Sequence, residues 1–343
     1  MNAPAPRPPR RAATLADVAQ AAGVSLATAS KALNGRRDVG AATRARVTEV
    51  ARSLDFAPNQ LARSLMSGRT GSVGLLTDDL EGRFALPVMI GAEDALGEAE
   101  TVALLANSRG RPDLEQRHLS ALLGRRIDGL LLVGKGPEPR APLPRTPSGV
   151  ATVYAYAPSS DPADTSFVCD HRGAGRLAAE HLLAVGCRRI AHVGGPVDGQ
   201  IGHLAAELRA LGTADALADH GLPLVTGSAL HGEWLERWGW AATERLLASE
   251  EFDGLVCGND QIARGAVDLL TTRGVRVPGD VAVVGFDNTT AIAAHGRLPQ
   301  TTVDMNLYEV GRTAASALLD PATLRAGEQQ IPGRLVVRES SRR

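Results

Sequence analysis

Apolar positions recur at helical spacing from Leu15 to Ala22 and again from Leu26 to about Leu33. Thr14 is placed to cap the first of these helices and Ser25 the second. Between them Gly23 supplies the backbone freedom that stops a helix, and Val24 packs into the angle. Ala29, Ala32 and Leu33 are expected to face inward; Leu26, Ala27, Ser30 and Lys31 face outward. This predicts a helix-turn-helix, whose second helix fits a DNA major groove; an ordinary helical pair in a larger core is the alternative. A third helix is expected from Ala42 to Leu54, with Val47, Val50, Ala51 and Leu54 inward. Pro58 disfavours helix at Ala57 and ends it. Asn59 to Met66 forms a short apolar helix that needs a partner to hold it.

From Gly71 the period changes. Short apolar runs such as SVGLLTDD, TVALLANS, IDGLLLVG and VATVYAY read as buried parallel strands, with helices expected at Val88 to Glu100 and Leu114 to Leu123. A Pro-rich loop runs from Gly136 to Gly149. A second series follows, with strands RIAHVGG, FDGLVCGND and VAVVGFD between helices at 173–185, 203–220, 238–247 and 261–273. Alternating strands and helices predict doubly wound parallel sheets. Two such series imply two lobes, with a ligand cleft at the strand C-terminal ends.

Charge sharpens this division. The chain has 343 residues and a net charge of −1. Residues 1–70 hold 11 Lys/Arg against 4 Asp/Glu, while the remainder holds 26 of the 37 basic and 34 of the 38 acidic residues. A basic head on an acidic body is the footprint of phosphate attraction at one end. Cys169, Cys187 and Cys257 are scattered without metal-ligand spacing, which fits a reducing cytoplasm and calls for no metal. Residues 1–13 are Pro- and Arg-rich with no apolar run, so they are expected to be a disordered basic tail and not an export leader. No stretch is long and apolar enough to span a membrane. There is no GxGxxG, P-loop, HExxH or GxSxG. A catalytic role and a cofactor are therefore not expected.

The stretch TLADVAQAAGVSLATASKALNG resembles the opening of the lactose-repressor/galactose-repressor family of bacterial transcription factors, and PNQLARSL, LLANS, VGG, NDQIARGA and VVGFDN follow in that family's order and spacing. The resemblance implies a helix-turn-helix headpiece at 14–57, a hinge helix and linker at 58–70, and a two-lobed α/β body of the periplasmic-binding-protein type at 71–343. It places one lobe at 71–168 plus 297–325 and the other at 169–296 plus 326–343, with TTVDMN as a return crossover into the first and RLVVRESS as the closing strand of the second. It further implies a homodimer on a near-palindromic operator, controlled by a small molecule in the cleft. A solute-binding transport protein shares the two-lobed fold but would need an export leader and no headpiece. No leucine heptad follows Arg338, so a coiled-coil tetramer is not expected.

Carried over residue by residue, the resemblance puts Ser25, Thr28, Ser30 and Asn34 at positions that cap, pack or bind phosphate, and Leu26, Ala27 and Lys31 at base-reading ones. Thr14, Asn59 and Ala62 join the DNA-binding set, and Leu65 matches the apolar wedge that opens a central base step in the minor groove. For the effector it points to Asp78 and Phe84 of the first lobe, Arg109 after LLANS, Asn259, Asp260 and Asp287 at strand ends, and Trp234 as a platform for a sugar ring, with a core role for Trp234 as the alternative. Four departures stand out. His203 is read as replacing a ligand-gripping Arg, Tyr156 as replacing an Asp, Ala85 as replacing one of a Phe pair, and Met305 as replacing an amide. With the Arg fork lost, a neutral sugar is the first effector class expected and a nucleoside or purine the second.

Overall fold

The computed structural model describes residues 13–33, 38–56, 69–80, 82–144, 149–197, 199 and 202–343. Asn34, Asn59, Ala62 and Leu65, and the tail through residue 12, lie outside the described residues. The chain divides into two compact units, Met1–Thr70 and Gly71–Arg343.

In the first unit α1 spans Leu15–Ala22, α2 Leu26–Leu33 and α3 Ala41–Ser53. Thr14 and Asp17 form a reciprocal capping box: the Asp17 N–H donates to the Thr14 hydroxyl and the Thr14 N–H to Asp17 Oδ2. Gly23, at φ 64°, turns the chain, and Val24 N–H closes the end of α1 on Ala19 O. Val18, Ala19, Ala22, Ala29, Ala32, Val47 and Ala51 form the core, with Val39 as a further member that helical periodicity did not single out. Leu54, expected inward, is 38 % exposed, because the helix ends at Ser53 and Leu54 is its cap.

The second unit carries two six-stranded sheets. The first is all parallel and contains β1 (Ser72–Thr77), β2 (Val102–Asn107), β3 (Gly129–Val133), β4 (Ala151–Ala155), β5 (Thr165–Cys169) and β11 (Gly327–Ile331), in the order β11-β5-β4-β3-β1-β2. The second contains β6 (Ile190–Gly194), β7 (Leu230–His231), β8 (Gly254–Cys257), β9 (Ala282–Phe286), β10 (Thr301–Asp304) and β12 (Arg334–Val336), in the order β12-β10-β9-β8-β6-β7. Only β12 runs antiparallel there. Helices α4 (Ala85–Glu98), α5 (Pro112–Gly124) and α11 (Leu307–Leu319) belong to the first lobe; α6 (His171–Ala184), α7 (His203–Ala218), α8 (Glu236–Ser249), α9 (Asp260–Thr272) and the short α10 (Thr290–Ala293) belong to the second. Among the described residues no helix is long and apolar enough to cross a membrane.

The lobe boundaries differ from the sequence expectation. The TTVD segment is β10, buried in the second sheet beside β9, and not part of the first lobe. The first lobe takes α11, as expected, and also β11, which the sequence reading assigned to the second. The chain thus passes between lobes after Cys169, near Met305 and again near Pro332. The GEQQI run of β11 escaped notice because it is a polar edge strand, alternately half-buried and exposed, and carries no apolar run. The opposite edge, β2, turns Val102 and Leu105 outward.

Helix pairs approach at backbone contact. A methyl group on Gly91 of α4 would collide with the Tyr308 carbonyl, and one on Gly311 of α11 with the Val88 carbonyl. The same reciprocal arrangement joins α6 to α7 at Gly175 and Gly212, and α8 to α9 at Gly239 and Gly265. Glycine at these crossings is a packing requirement, since carbonyl groups of the facing helix fill the space of a side chain. Gly91→Ala is expected to lower stability by about 1–3 kcal/mol. Gly97→Ala on the same helix, where a methyl meets nothing within 4 Å, is expected to be neutral or mildly stabilising. Thermal melts of the two variants check this; equal losses would remove the packing argument.

Candidate functional site

In the headpiece the Ser25 hydroxyl accepts from Thr28 N–H at 3.1 Å and bonds the Thr28 hydroxyl at 2.8 Å, fixing the first turn of α2. Leu26, Ala27 and Lys31 lie exposed on its outer face, with Thr28 and Ser30 half-buried beside them. Lys31 Nζ pairs with Asp38 at 2.7 Å, both side chains being more than half exposed. Such a pair is worth only about 0–1 kcal/mol and yields readily to a phosphate or a guanine edge. This face offers one cation and an apolar surface, with few of the Arg and amide side chains that most often read base edges in a major groove.

The second site is a cavity of about 250 Å³ walled by both lobes of the body. The first lobe contributes Arg83, Phe84, Tyr156 and the Lys135–Pro137 loop that follows β3; the second contributes Gly202, Ala205, Arg209, Trp234, Asn259 and Asp287. At its centre is a residue the sequence reading missed. Arg209, only 4 % exposed, donates from Nη1 to Gly258 O at 2.6 Å and from Nη2 to Asp287 Oδ1 at 3.0 Å. Its guanidinium also lies over the Phe286 ring at 4.7 Å. The expectation that an Arg fork is lost is therefore wrong. α7 begins at His203, as expected; Arg209, nearly two turns on, lines the cavity together with Ala205, whereas His203 does not. Gly175 lets α6 press against the backbone of Arg209 itself, so the glycine crossing positions this side chain.

Phe84, Tyr156, Trp234, Asn259 and Asp287 of the expected set are brought together on the wall. Trp234 lies on a bed of glycines: methyl groups on Gly195, Gly202 or Gly258 would run into its indole. Trp238 instead bonds Gly194 O at 2.9 Å in the lobe core, and Trp240 is outside on α8. Asn259 caps α9 through Ile262 N–H. Tyr156 and Asp287 both have left-handed backbones, φ 71° and 91°, at the ends of β4 and β9. Such strain at non-glycine residues costs about 1–3 kcal/mol each and turns both side chains toward the cleft.

Four expected residues do not line the cavity. Arg109 sits in an exposed turn after the edge strand β2, too far along the sheet to reach the centre. Asp78, at the end of β1, is partly enclosed, and burial raises its pKa. His203 opens α7 and meets Glu138 Oε1 at 3.5 Å. Asp260 is buried beneath the site and braces the turn after β9, accepting from Thr289 N–H at 2.7 Å and from the Thr302 hydroxyl at 2.6 Å. Contacts across the cleft bridge the lobes: Glu138 accepts from Gly202 N–H at 2.6 Å and meets His203 at 3.5 Å, and Arg83 stands 3.6 Å from Asp287. Glu138 thereby caps α7 from the opposite lobe, where the helix has no side-chain cap of its own.

Burial, then the neighbouring Asp287, pushes the Asp260 carboxyl up from its ordinary 3.8 to about 7. The folded state therefore holds this proton between those values, and its stabilising effect is lost as pH rises from about 4 to 7. Asp260→Asn removes that slope. Wild type should lose stability relative to the variant across this window in melts at spaced pH; parallel curves would refute the assignment. His192, pushed down to about 3 by burial, works in the opposite direction but is common to both proteins.

Comparison with known proteins finds relatives of both units. Residues 14–59 match the model of bacterial regulatory proteins of the lacI family, and residues 156–341 that of a periplasmic binding protein-like domain. The chain is 34 % identical to the HTH-type transcriptional regulator CelR of Thermobifida fusca, over 96 % of each chain. It is 30 % identical to the catabolite control protein A of Priestia megaterium, over 96 % of this chain and 99 % of that one. Among solved structures, the lac repressor dimer bound to operator and the anti-inducer ONPF superposes with a TM-score of 0.68 at 25 % identity, covering 96 % of this chain and 99 % of that one. A CelR–cellobiose complex superposes with a TM-score of 0.62 at 31 % identity, covering 96 % and 100 %. The headpiece, the two-lobed body and this relatedness along nearly the whole length make the chain a member of the lacI family of bacterial transcriptional regulators.

Proposed function

We propose that this chain is a repressor that binds a near-palindromic operator as a homodimer and is controlled by a sugar held between the lobes of its body. The observation that carries the control is the cavity itself. Its wall is divided between two lobes bridged by Glu138–Gly202 and Arg83–Asp287, so a ligand there has different affinity for open and closed arrangements. Trp234 on its glycine bed offers an apolar plane to a sugar ring, and Asp287, Arg209 and Asn259 offer groups for hydroxyls. The cellobiose bound by CelR in its solved complex is a sugar of this kind. A purine is the second reading, favoured by the Phe84–Tyr156 ring pair, centroids 6.0 Å apart; the HTH-type transcriptional repressor PurR of Haemophilus influenzae is a 30 % identical relative.

Dimerisation has support in exposed apolar side chains of the first lobe, Leu86 and Ile90 one turn apart on α4 and Val102 and Leu105 on β2. On DNA, Lys31 reads a base edge from each half-site and Leu26 and Ala27 make apolar contacts; Leu65 is assigned the wedge in the minor groove. Lys31→Ala should weaken binding to the specific site by about 1–3 kcal/mol and flatten preference at one position per half-site. Equal loss on random duplex would make Lys31 a phosphate contact instead. Gel shifts with genomic fragments, with and without sugars, test the whole reading, and Trp234→Ala should abolish the sugar response while DNA binding persists. A chain with no preference for any duplex under every ligand would refute it.

A further inference from the structure

The cavity carries unequal charge. Arg83, Lys135 and Arg209 line it, against Asp287 as the one carboxylate among its lining residues. Asp287 is already engaged, with Oδ1 on Arg209 at 3.0 Å and Oδ2 facing Arg83 at 3.6 Å. The nearby Glu138 carboxylate is committed to the Gly202 amide and to His203. Burial raises the Asp78 pKa and the Lys135 ammonium, near enough to act on it, pulls it back down, but Asp78 is not among the lining residues. Among the described residues no carboxylate comes within salt-bridge distance of Lys135.

The two surplus cations share the first-lobe side. Arg83 is braced by the Phe84 ring, 4.8 Å from its guanidinium carbon, and Lys135 opens the loop that forms the same wall. Opposite them, on the second lobe, are Trp234 and the hydroxyl-binding groups. A guanidinium fork and an ammonium together suit a phosphate or a carboxylate, whereas a neutral hydroxyl adds no charge opposite Lys135 and leaves Arg83 sharing the one Asp287 carboxylate with Arg209.

We propose that the sugar taken by this cavity is anionic, with its acidic group held between Arg83 and Lys135 and its ring against Trp234. This rests on the sugar reading above and replaces the neutral sugar expected from sequence. That expectation followed from taking the cavity to have lost its arginine, whereas three cations line it.

Calorimetry on the full chain tests it with matched sets: glucose, gluconate, glucuronate and glucose 6-phosphate; ribose and ribose 5-phosphate; inorganic phosphate; adenine and AMP. The expected result is an acidic sugar binding at least about tenfold more tightly than its neutral parent. Arg83→Ala and Lys135→Ala should each weaken that ligand about tenfold and leave the neutral parent unchanged. Arg83→Lys should restore part of the loss. Both side chains reach solvent, so melts of the variants should match wild type. The contrast between carboxylate and phosphate members identifies the acidic group. A neutral parent that binds as tightly, variants that weaken both alike, or inorganic phosphate matching the sugar phosphate would overturn this proposal and leave the sugar reading standing. Binding of adenine or AMP alone, or of no sugar, acidic or neutral, would overturn the sugar reading and this proposal with it.

Discussion

The body depends on one buried ion pair. Arg209 and Asp287 are each about 5 % exposed at their side chains, and each would be costly to bury without the other. Their pairing is paid for by a network: Gly258 O takes a second guanidinium donor, Phe286 lies under its plane, and Asp260 braces the turn that carries Asp287. The pair lies within the second lobe but forms the cleft wall, so the first lobe closes against a preset charge. Arg83 reaches across to the same carboxylate, which ties lobe position to the state of this pair.

The headpiece works on a different physical scale. Its core is built mainly from alanine and valine, so three helices pack closely in very few residues. The capping box and the Gly23 turn fix α1 and its exit by hydrogen bonds that require no large core. What remains outside is a short helix face with little charge of its own, and in the proposed complex sequence preference would draw on apolar contact and DNA shape as well as on Lys31.

Much of this was legible in the chain. Helical periodicity located α1 and α2 to the residue, and the apolar strands marked most of both sheets. Asn259 and Asp287, at strand ends, were within reach because parallel sheets gather ligands at that end, and Trp234 was reached through the family resemblance. Arg209 was not. It lies nearly two turns into its helix, and counting from VGGP led to His203. Arg83 and Lys135 follow strand ends, as Asp78 does, and a rule that sheets bind at those ends could have found them. Arg109 obeys the same rule and fails, because strand order, which decides centre from edge, is absent from a linear pattern. Polar β11 escaped because its burial comes from position in the sheet and not from composition.

The two borders of the first sheet are unlike. On one side β11 turns Glu328 and Gln330 to solvent; on the other β2 turns out Val102 and Leu105. A sheet with two greasy margins would recruit neighbours on both sides and grow into a filament. With a single adhesive margin, association uses up the sticky side in one meeting. The proposed homodimer would close on that margin and leave the hydrophilic rim in water.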